Sequence, residues 1–247
     1  MYIGLYMRIL SWNILASEWI KKSYYKDADH AMLFNRRQRF TKITELIQKV
    51  DADIVMLQEV MPQEHKKLIA NFEKDYIISG LNKIVWQYKS DSKSGNVTMV
   101  KRSMFGHHDV KHHSKDYGLY TQCIHNNIHY DVFNIHLDDL SRKKRYDQME
   151  DVNKTLRSNK SVNIIAGDFN QVYRADSKFY NIDGFMVHNK CATYYNERNM
   201  NIDNILTRGA KQQIPSRCYV SPTTFDEGIK LYGSDHLPVI TDIAEPI

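Results

Sequence analysis

Acidic, amide and imidazole side chains lie at the ends of five predicted strands in this 247-residue chain. These residues are Asn13, Glu59, His136, the pair Asp168 and Asn170, and the pair Asp235 and His236. In α/β proteins, ligands bind beyond strand ends, where a rigid sheet positions the side chains of the adjoining loops. A single polar residue could simply mark the point at which a strand reaches the surface. Five such strand ends together indicate one functional site.

The residue types at these strand ends favour hard cations and phosphoester chemistry. Carboxylate and amide oxygens suit Mg²⁺ or Mn²⁺ and not zinc, because no Cys or close His pair completes a tetrahedral site. A carboxylate beside an amide can orient and deprotonate a water, while a histidine and the metal share the charge on a phosphoryl oxygen. The sequence has no G-x-x-x-x-G-K-[ST], G-x-G-x-x-G or G-x-S-x-G motif. The pattern therefore predicts metal-assisted phosphoester hydrolysis.

Predicted strands and helices alternate along the chain, and no repeat, low-complexity tract or linker divides it. Apolar runs predict strands over Met7–Trp12, Asp53–Leu57, Lys83–Tyr88, Asn96–Arg102, Leu119–His125, His129–Ile135, Val162–Ala166, Ile205–Thr207, Arg217–Val220 and Val239–Ile243. Apolar residues at helical spacing predict helices over Arg36–Val50, Gln63–Phe72 and Ser141–Leu156. We therefore predict a single domain, residues 1–247, in which helices flank two packed β-sheets.

Composition excludes several classes of protein. The chain is 42% hydrophobic, which provides enough apolar residues for a buried core and excludes wholesale disorder. No apolar stretch approaches the roughly 20 residues that an integral membrane segment needs. The apolar segment Met1–Leu15 is interrupted by Arg8, Ser11 and Asn13, so we interpret it as a first strand and not as a signal peptide.

Cysteine usage and charge give softer indications. The three cysteines, Cys123, Cys191 and Cys218, are scattered and form no C-x-x-C pair, which argues against a disulfide scaffold and a structural zinc site. This usage favours a reducing compartment, so we expect an intracellular location, in the cytoplasm or the nucleus. We also expect a monomeric chain. Lys plus Arg exceed Asp plus Glu by 34 to 29, and this net charge of +5 suits a partner that carries phosphate groups.

Six short motifs follow one another along nearly the whole chain. They are S-W-N at Ser11–Asn13, L-Q-E-V at Leu57–Val60, H-L-D-D at His136–Asp139, G-D-F-N at Gly167–Asn170, I-D-N-I at Ile202–Ile205 and S-D-H-L-P at Ser234–Pro238. In this order they resemble the endonuclease/exonuclease/phosphatase superfamily, also called DNase I-like. Each motif alone is a weak signal, whereas six motifs in the superfamily's order are a specific one.

The resemblance implies both a fold and a reaction. The implied fold is a four-layer α/β sandwich, in which two mixed β-sheets pack face to face with helices outside. The implied reaction is cleavage of a phosphoester by an activated water, with Mg²⁺ or Mn²⁺ as the cofactor. The resemblance further implies that Glu59 is the principal metal ligand, with Asn13 beside it, and that Asp235 joins the metal or water network.

The same resemblance assigns roles in the reaction to five more residues. Asp168 would position and activate the attacking water, and Asn170 would hold the phosphate. His236 would contact the scissile phosphate while Asp203 orients its imidazole, and a buried carboxylate–imidazole pair also keeps the ring charged. His136 matches a position at which relatives use histidine to bind a phosphate oxygen.

The resemblance leaves the substrate open, and we expect nucleic acid, either DNA or RNA. Residues Asp53–Gly80 resemble 5′-tyrosyl-DNA phosphodiesterases, although Phe169 and Leu237-Pro238 differ from the motifs of those enzymes. The opening S-W-N-I-L-A, together with Arg36, resembles deadenylases and 2′,5′-phosphodiesterases. An inositol-phosphate or phospholipid phosphatase would use the same centre. A catalytically dead binding module is disfavoured, because every presumed ligand and acid–base position is filled.

Basic and aromatic residues give further indications of a nucleic-acid partner. We predict that Arg142 and Arg145, in the basic run after the His136 motif, bind the substrate together with Asn96, whose segment resembles the superfamily's G-N-A strand. Two further basic runs are Arg36-Arg37-x-Arg39 and Lys101-Arg102. Each run could contact a phosphate backbone, or it could simply form a solvated helix face. The aromatic residues that could stack on bases, or else pack in the core, are Trp12, Trp19, Tyr24, Tyr25, Tyr173, Tyr194 and Tyr195.

Overall fold

A computed structural model of the chain describes residues 6–26, 28–84, 91–156, 161–194, 200–212, 217–218 and 225–244. The strands are β1 (Tyr6–Asn13), β2 (Ile54–Val60), β3 (Tyr76–Ile78), β4 (Asn82–Lys83), β5 (Gly95–Lys101), β6 (Lys111–Lys115), β7 (Gly118–His125), β8 (Ile128–His136), β9 (Ser161–Asp168), β10 (Met186–Val187), β11 (Asp203–Arg208), β12 (Lys211–Gln212), β13 (Arg217–Cys218) and β14 (Val239–Ala244). The helices are α1 (His30–Phe34), α2 (Arg36–Val50), α3 (Pro62–Phe72), α4 (Arg142–Thr155) and α5 (Phe225–Tyr232). Over these described ranges, no helix is long and apolar enough to cross a membrane.

The strands form two mixed β-sheets. In the first sheet the order is β12-β14-β1-β2-β5-β3, with β13 also paired to β14 and β4 also paired to β5. In the second sheet the order is β10-β11-β9-β8-β7-β6. β1 runs parallel to β2, and β8 runs parallel to β9, whereas the other paired strands are antiparallel. Each sheet is therefore built around one parallel pair.

Alternation along the central strands explains why each sheet is buried on both faces. In β1, Ile9 packs in a cluster that the two sheets share, whereas Leu10 packs in a cluster that contains residues of α2 and α3. In β9, Ile164 joins the shared cluster, and Ile165 packs with residues of α4. Successive side chains of a strand point to opposite faces. The layers are therefore helices, sheet, sheet and helix, which confirms the predicted four-layer α/β sandwich.

The pairing register brings candidate site residues to one end of the sandwich. β8 and β9 end together, with His136 opposite Asp168, and the antiparallel β11 begins with Asp203 on the other side of Asp168. In the first sheet, β1 ends with Asn13 opposite the residue that precedes Glu59. The amide of Asn13 reaches Asp168 across the sandwich at 3.1 Å, so the two sets of strand ends meet.

The sequence predicts the long elements well and the short ones poorly. The helix Arg36–Val50 has the predicted bounds, and Ser141 caps α4 by accepting a hydrogen bond from the backbone N–H of Lys144 (3.2 Å). The predicted strands Lys83–Tyr88 and Arg217–Val220 extend beyond the described residues. The sequence patterns did not predict α1 and α5, because elements of five and eight residues are too short for a clear apolar period.

Candidate active site

Glu59 lies at an irregular position of the first sheet. A β-bulge interrupts the pairing of β2 with β5 between Leu57 and Val60, and Glu59 adopts a left-handed backbone conformation with a φ of 59°. A bulge re-aims the side chain of the residue that it contains. The Glu59 carboxylate accepts hydrogen bonds from the backbone N–H of Ala16 (2.7 Å) and from Nδ2 of Asn13 (2.9 Å). These two donors hold it at the ends of β1 and β2.

Asn13 links the two sheets at the site. Its Nδ2 donates to Glu59 and to Oδ2 of Asp168, while its Oδ1 accepts the backbone N–H of Leu15 (3.0 Å). In this orientation the amide nitrogen of Asn13 donates to both carboxylates, and its amide oxygen is already hydrogen-bonded to the backbone. This differs from the expectation that Asn13 ligates a metal. Here the residue ties Glu59 to Asp168.

Asp168 lies between two histidines. Its Oδ2 is 3.6 Å from Nε2 of His136 and 3.9 Å from Nε2 of His236. Its Oδ1 accepts the backbone N–H of Asn170 (2.8 Å), and Asn170 in turn donates from Nδ2 to the carbonyl of Leu137 (2.9 Å). The G-D-F-N loop is thereby fixed to the end of β8, and both imidazoles approach the same carboxylate oxygen.

His236 pairs with Asp203. Its Nδ1 lies 2.8 Å from Oδ2 of Asp203, and both side chains are buried. Burial alone lowers the pKa of an imidazole, but the adjacent Asp203 carboxylate outweighs it and raises the pKa of His236 to about 10. The ring is therefore positively charged at neutral pH, with Nδ1 donating to Asp203 and Nε2 directed toward Asp168. The ring of Tyr194 covers this imidazole, with its centroid 4.6 Å away.

The second imidazole, His136, has the opposite electrostatic character. Burial, followed by the nearby charge of His236, lowers the pKa of His136 to about 3. The ring is therefore neutral at physiological pH, and one of its nitrogens is free of a proton. The site thus combines one charged and one neutral histidine around Asp168.

Several buried carboxyl groups lie close to one another around Asp168. Desolvation, followed by the charge of Asp235, raises the pKa of Glu59 to about 7. Desolvation, followed by the charge of Asp203, raises the pKa of Asp168 to about 7. No lysine or arginine among the described residues forms an ion pair with either carboxylate. These carboxyl groups therefore hold protons more tightly than usual, and a bound cation would favour their ionised forms.

The donor set fits a divalent cation. Oδ1 of Asp235 is buried and has no hydrogen-bond partner among the described residues, and an anionic oxygen without a partner is costly. Ligand atoms of Asp168, Asp203 and His236 also lie within 4.8 Å of one another. The Nδ1 of His236 is already bonded to Asp203, however, so we assign this triad to hydrogen bonding. Glu59 and Asp235 are the carboxylates best suited to hold Mg²⁺ or Mn²⁺.

Two further contacts secure the loop that carries Asp235. The hydroxyl of Tyr25 donates to Oδ2 of Asp235 (2.8 Å), and burial, followed by the charge of Asp235, raises the pKa of Tyr25, which keeps its proton. The hydroxyl of Ser234 donates to the carbonyl of Asn13 (2.7 Å) and accepts the backbone N–H of His236 (3.2 Å). The S-D-H motif is thus joined to the end of β1.

Arg39 lies neither on a phosphate-binding surface nor on a solvated helix face, the two alternatives for the run Arg36-Arg37-x-Arg39. Its side chain is buried and donates to three backbone carbonyls, those of Ile14, Leu15 and Gly233. Arg36 is also engaged, through an ion pair with Glu64 (2.9 Å). The guanidinium of Arg39 thereby joins the loop after β1 to the loop before Asp235.

A cleft of about 380 Å³ opens over these groups. The residues that line it are Leu15, Trp19, Tyr24, Tyr25, Glu59, His136, Asp139, Asp168, Asn170, Val172, Tyr194, Met200, Ile202, Asp235 and His236. The floor is acidic and imidazole-bearing, and the walls are aromatic and aliphatic. Within the described part of the chain, no lysine or arginine lines the cleft.

The structure brings together eight of the eleven residues that the sequence singles out. Six of them line the cleft, and Asn13 and Asp203 support these from behind through hydrogen bonds. The other three are placed elsewhere. Arg142 is exposed and stacks over Tyr146, and Arg145 donates to the carbonyls of Asp138 and Asp139. Asn96 is fully buried and donates to Asn134 of the opposite sheet, so its side chain does not reach the cleft.

The aromatic residues divide in a similar way. Trp19, Tyr24 and Tyr194 line the cleft, as stacking on a base would require. Trp12 is fully buried and donates from Nε1 to the carbonyl of His236 (2.9 Å). Tyr173 packs against Tyr180, and the remaining candidate, residue 195, lies outside the described part of the chain. Sequence reasoning did not identify the contacts of Tyr25 and Arg39, which join segments about 200 residues apart and leave no local signal.

A family model described as the Endonuclease/Exonuclease/phosphatase family matches residues 10–236 of the chain. In a sequence comparison, no curated protein matches it. The superfamily resemblance of the six motifs is therefore confirmed by the family comparison.

Solved structures agree with this match. Truncated TDP2 from Caenorhabditis elegans is 18% identical, with a TM-score of 0.66, over 97% of this chain and 98% of that one. TDP2 from D. rerio, complexed with single strand DNA product, is 15% identical, with a TM-score of 0.63, over 96% and 98% of the two chains. ANGEL2, a 2′,3′-cyclic phosphatase, is 14% identical, with a TM-score of 0.73, over 98% and 96%. At these identities the likeness shows a common fold.

Proposed function

We propose, from the premise that this chain belongs to the Endonuclease/Exonuclease/phosphatase family, that it is a divalent-metal-dependent phosphodiesterase that acts on nucleic acid. The family supports a phosphoesterase activity as such. The cofactor, the class of substrate and the bond that is cleaved are the content of the proposal. An intracellular location and a monomeric state remain predictions from the sequence.

The composition of the cleft walls is the observation that carries the choice of substrate. A substrate with several phosphate groups, such as an inositol polyphosphate, is normally bound by clustered arginines and lysines. The described walls of this cleft have none and instead present Trp19, Tyr24 and Tyr194. Flat aromatic rings suit a base or a tyrosyl ring on either side of a singly charged phosphodiester.

The arrangement of the residues on the floor supports hydrolysis of a phosphodiester. Nε2 of His236 is the nitrogen that remains to donate to a phosphoryl oxygen, because Nδ1 is bonded to Asp203. His136 lies 3.6 Å from the same oxygen of Asp168 and would offer a second contact to the phosphate. Asp168 is placed to accept a proton from the attacking water, which forms the new P–O bond while the leaving oxygen departs from phosphorus. Asn13 keeps Asp168 and Glu59 together during this step.

Glu59 and Asp235 would hold the cation, which when bound would supply positive charge to the phosphoryl oxygens. Asn13 would orient Glu59 through its amide. The backbone N–H of Asn170 donates to Asp168, and its side chain donates to the carbonyl of Leu137 in the loop after β8. Asn170 would therefore shape the phosphate site.

The relatives support nucleic acid as the substrate class. One TDP2 structure holds a single-strand DNA product, and ANGEL2 is a 2′,3′-cyclic phosphatase. This activity could take three specific forms. They are removal of a 5′-tyrosyl group from DNA, shortening of a strand, and cleavage of RNA by a deadenylase-like or 2′,5′-phosphodiesterase reaction.

A gel assay would test the proposal. The substrates would be a single-stranded DNA with a 5′-phosphotyrosine, the same strand without it and an RNA of the same sequence, each with Mg²⁺ and with the Asp168→Asn variant as control. Loss of the tyrosine alone would identify a tyrosyl phosphodiesterase, and a ladder of shortened strands would identify a nuclease. Release of phosphate from a soluble inositol phosphate, with no cleavage of any oligonucleotide, would contradict the proposal.

A further inference from the structure

We propose that Tyr25 is a positioning residue for the divalent cation and that it acts through Asp235. Its hydroxyl fixes one oxygen of the Asp235 carboxylate and leaves the other oxygen available as a ligand. This inference rests on the proposed function to the extent that it assumes a cation at the acidic floor of the cleft. It concerns a residue outside all six sequence motifs.

The two oxygens of Asp235 have different surroundings. Oδ2 accepts the hydroxyl of Tyr25 at 2.8 Å, in a buried contact between residues 210 positions apart. Oδ1 is equally shielded from solvent but has no hydrogen-bond partner among the described residues. Buried carboxylate oxygens are normally satisfied by a donor or a cation. The asymmetry therefore identifies Oδ1 as the oxygen that has a ligand still to bind.

Asp235 is in the right place for this ligand to be the cation. It lines the same cleft as Glu59, and it directly precedes His236, which faces Asp168. Loss of the Tyr25 hydroxyl would free the carboxylate to rotate about its terminal torsion, which is broad in the absence of hydrogen bonds. The carboxylate would then adopt several orientations, and Oδ1 would be directed at the cation in only some of them.

Tyr25 is itself firmly placed, which a positioning residue must be. Its ring packs in a small cluster with Leu33 of α1 and Ile229 of α5. Its carbonyl oxygen accepts hydrogen bonds from Nε2 of His30 (2.9 Å) and from the backbone N–H of Ala28 (3.3 Å). The hydroxyl thus extends from an anchored ring to the site, and the helix α5 that anchors the ring ends just before the loop that carries Asp235.

The Tyr25→Phe variant tests this role with a small change, because it keeps the ring in its cluster and removes only the hydroxyl. We expect the dissociation constant for Mg²⁺ and for Mn²⁺, measured by isothermal titration calorimetry without substrate, to rise about 10-fold or more. The matched control is Tyr24→Phe. Tyr24 is the neighbouring tyrosine, is 67% exposed and has the ammonium of Lys21 over its ring, whereas the hydrogen bond to Asp235 comes from Tyr25. The Tyr24→Phe variant should therefore bind both metals as the unmodified chain does.

A double-mutant cycle separates action through Asp235 from a general effect. If Tyr25 acts through this carboxylate, then Tyr25→Phe combined with Asp235→Asn should bind Mg²⁺ no more weakly than Asp235→Asn alone. Additive losses in the cycle would overturn the inference. Unchanged metal affinity in Tyr25→Phe, or equal weakening in Tyr24→Phe, would overturn it as well.

Two controls keep this inference distinct from the proposed function. The melting temperature of each variant in EDTA should stay within about 10 °C of that of the unmodified chain, as expected for the loss of one buried hydrogen bond in a fold that still packs. If the unmodified chain bound neither Mg²⁺ nor Mn²⁺, both the proposed cofactor and this inference would fail. If it bound them and Tyr25→Phe bound them equally well, only this inference would fail.

Discussion

Nδ1 of His236 and Oδ2 of Asp203 lie 2.8 Å apart, and this contact decides which nitrogen of the ring can meet a substrate. His236 precedes β14, and Asp203 begins β11 of the other sheet, so the contact also joins the two sheets. Because Nδ1 is occupied, Nε2 is the donor that faces Asp168 and the cleft. The pair is thus a device that fixes both the charge and the direction of one imidazole.

Replacement of Asp203 should therefore impair turnover more than binding. In Asp203→Asn the ring loses its anionic partner and the preference for donation from Nε2. We expect kcat to fall by about 100-fold or more, with a much smaller change in KM, since orientation of a histidine by a carboxylate has effects of at least this size. Steady-state hydrolysis of the oligonucleotide identified by the gel assay measures this. A kcat within threefold of the unmodified chain would show that Asp203 is not needed for the reaction.

The two central carboxylates should differ in their effects on metal binding. Glu59→Ala should abolish metal-dependent turnover and also weaken Mg²⁺ binding, because the variant loses the side chain best placed to hold the cation. Asp168→Asn should abolish turnover, while its near-isosteric amide spares the fold. Titration calorimetry measures Mg²⁺ binding, and the cleavage assay measures turnover, for both variants. Near-normal rates in either one would refute our assignment of the site.

Arg39 should be needed for stability although it lies outside the cleft. Arg39→Met leaves three buried backbone carbonyls without their donor, and each unsatisfied group costs about 1–3 kcal/mol. We expect the free energy of unfolding, from urea titration, to fall by about 3 kcal/mol or more. Arg37→Met, on the exposed side of the same helix, is the matched control and should change it by less than about 0.5 kcal/mol.

Acid should destabilise the protein partly through His188. This buried histidine contacts Thr207 and Thr241, and burial lowers its pKa from 6.5 to about 4. Between these values the unfolded chain takes up a proton that the folded chain does not, so the free energy of unfolding falls as the pH falls from 6.5 to 4. Comparison of urea unfolding at pH 7.5 and 4.5 should show that His188→Gln reduces this loss by about 2 kcal/mol. The exposed His107→Gln should leave the loss unchanged.

Tyr24 should contribute to substrate affinity if bases stack on the cleft wall. Stacking of one base on an aromatic ring contributes about 1–3 kcal/mol. Tyr24→Ala should therefore raise KM for an oligonucleotide by about 5-fold to 100-fold, with little change in kcat. Tyr24→Phe keeps the ring and should retain most of the affinity. An unchanged KM in Tyr24→Ala would show that the substrate does not use this wall.

Much of the fold follows from local patterns in the sequence, because strands buried on both faces give continuous apolar runs. β9 is the clearest case, since Ile164 and Ile165 pack on opposite sides of one sheet. The same pattern predicts the site, because Asp168 follows the apolar run after a single glycine. Asp203 needs the family resemblance as well, since one acidic residue before a short strand has no distinctive local signal.

The remaining features depend on contacts between distant segments. The sequence presents Arg39 as one member of a basic run, and only the folded chain shows that its guanidinium fills a gap between two loops. Asn96 lies in a motif and was predicted to bind substrate, yet its amide bonds to Asn134 between the sheets. A polar residue in a strand can face a ligand or the opposite sheet, and the local pattern is the same in both cases.

The left-handed backbone of Glu59 has a consequence for any attempt to make this protein more robust. A residue with a side chain costs about 1 kcal/mol or more in this conformation, which glycine adopts freely. The chain therefore keeps an unfavourable conformation at the position where its principal acidic group is needed. A screen that selected variants by heat resistance alone would favour Glu59→Gly and would discard the activity. Libraries designed to stabilise this protein should keep Glu59 unchanged and vary surface residues far from the bulge.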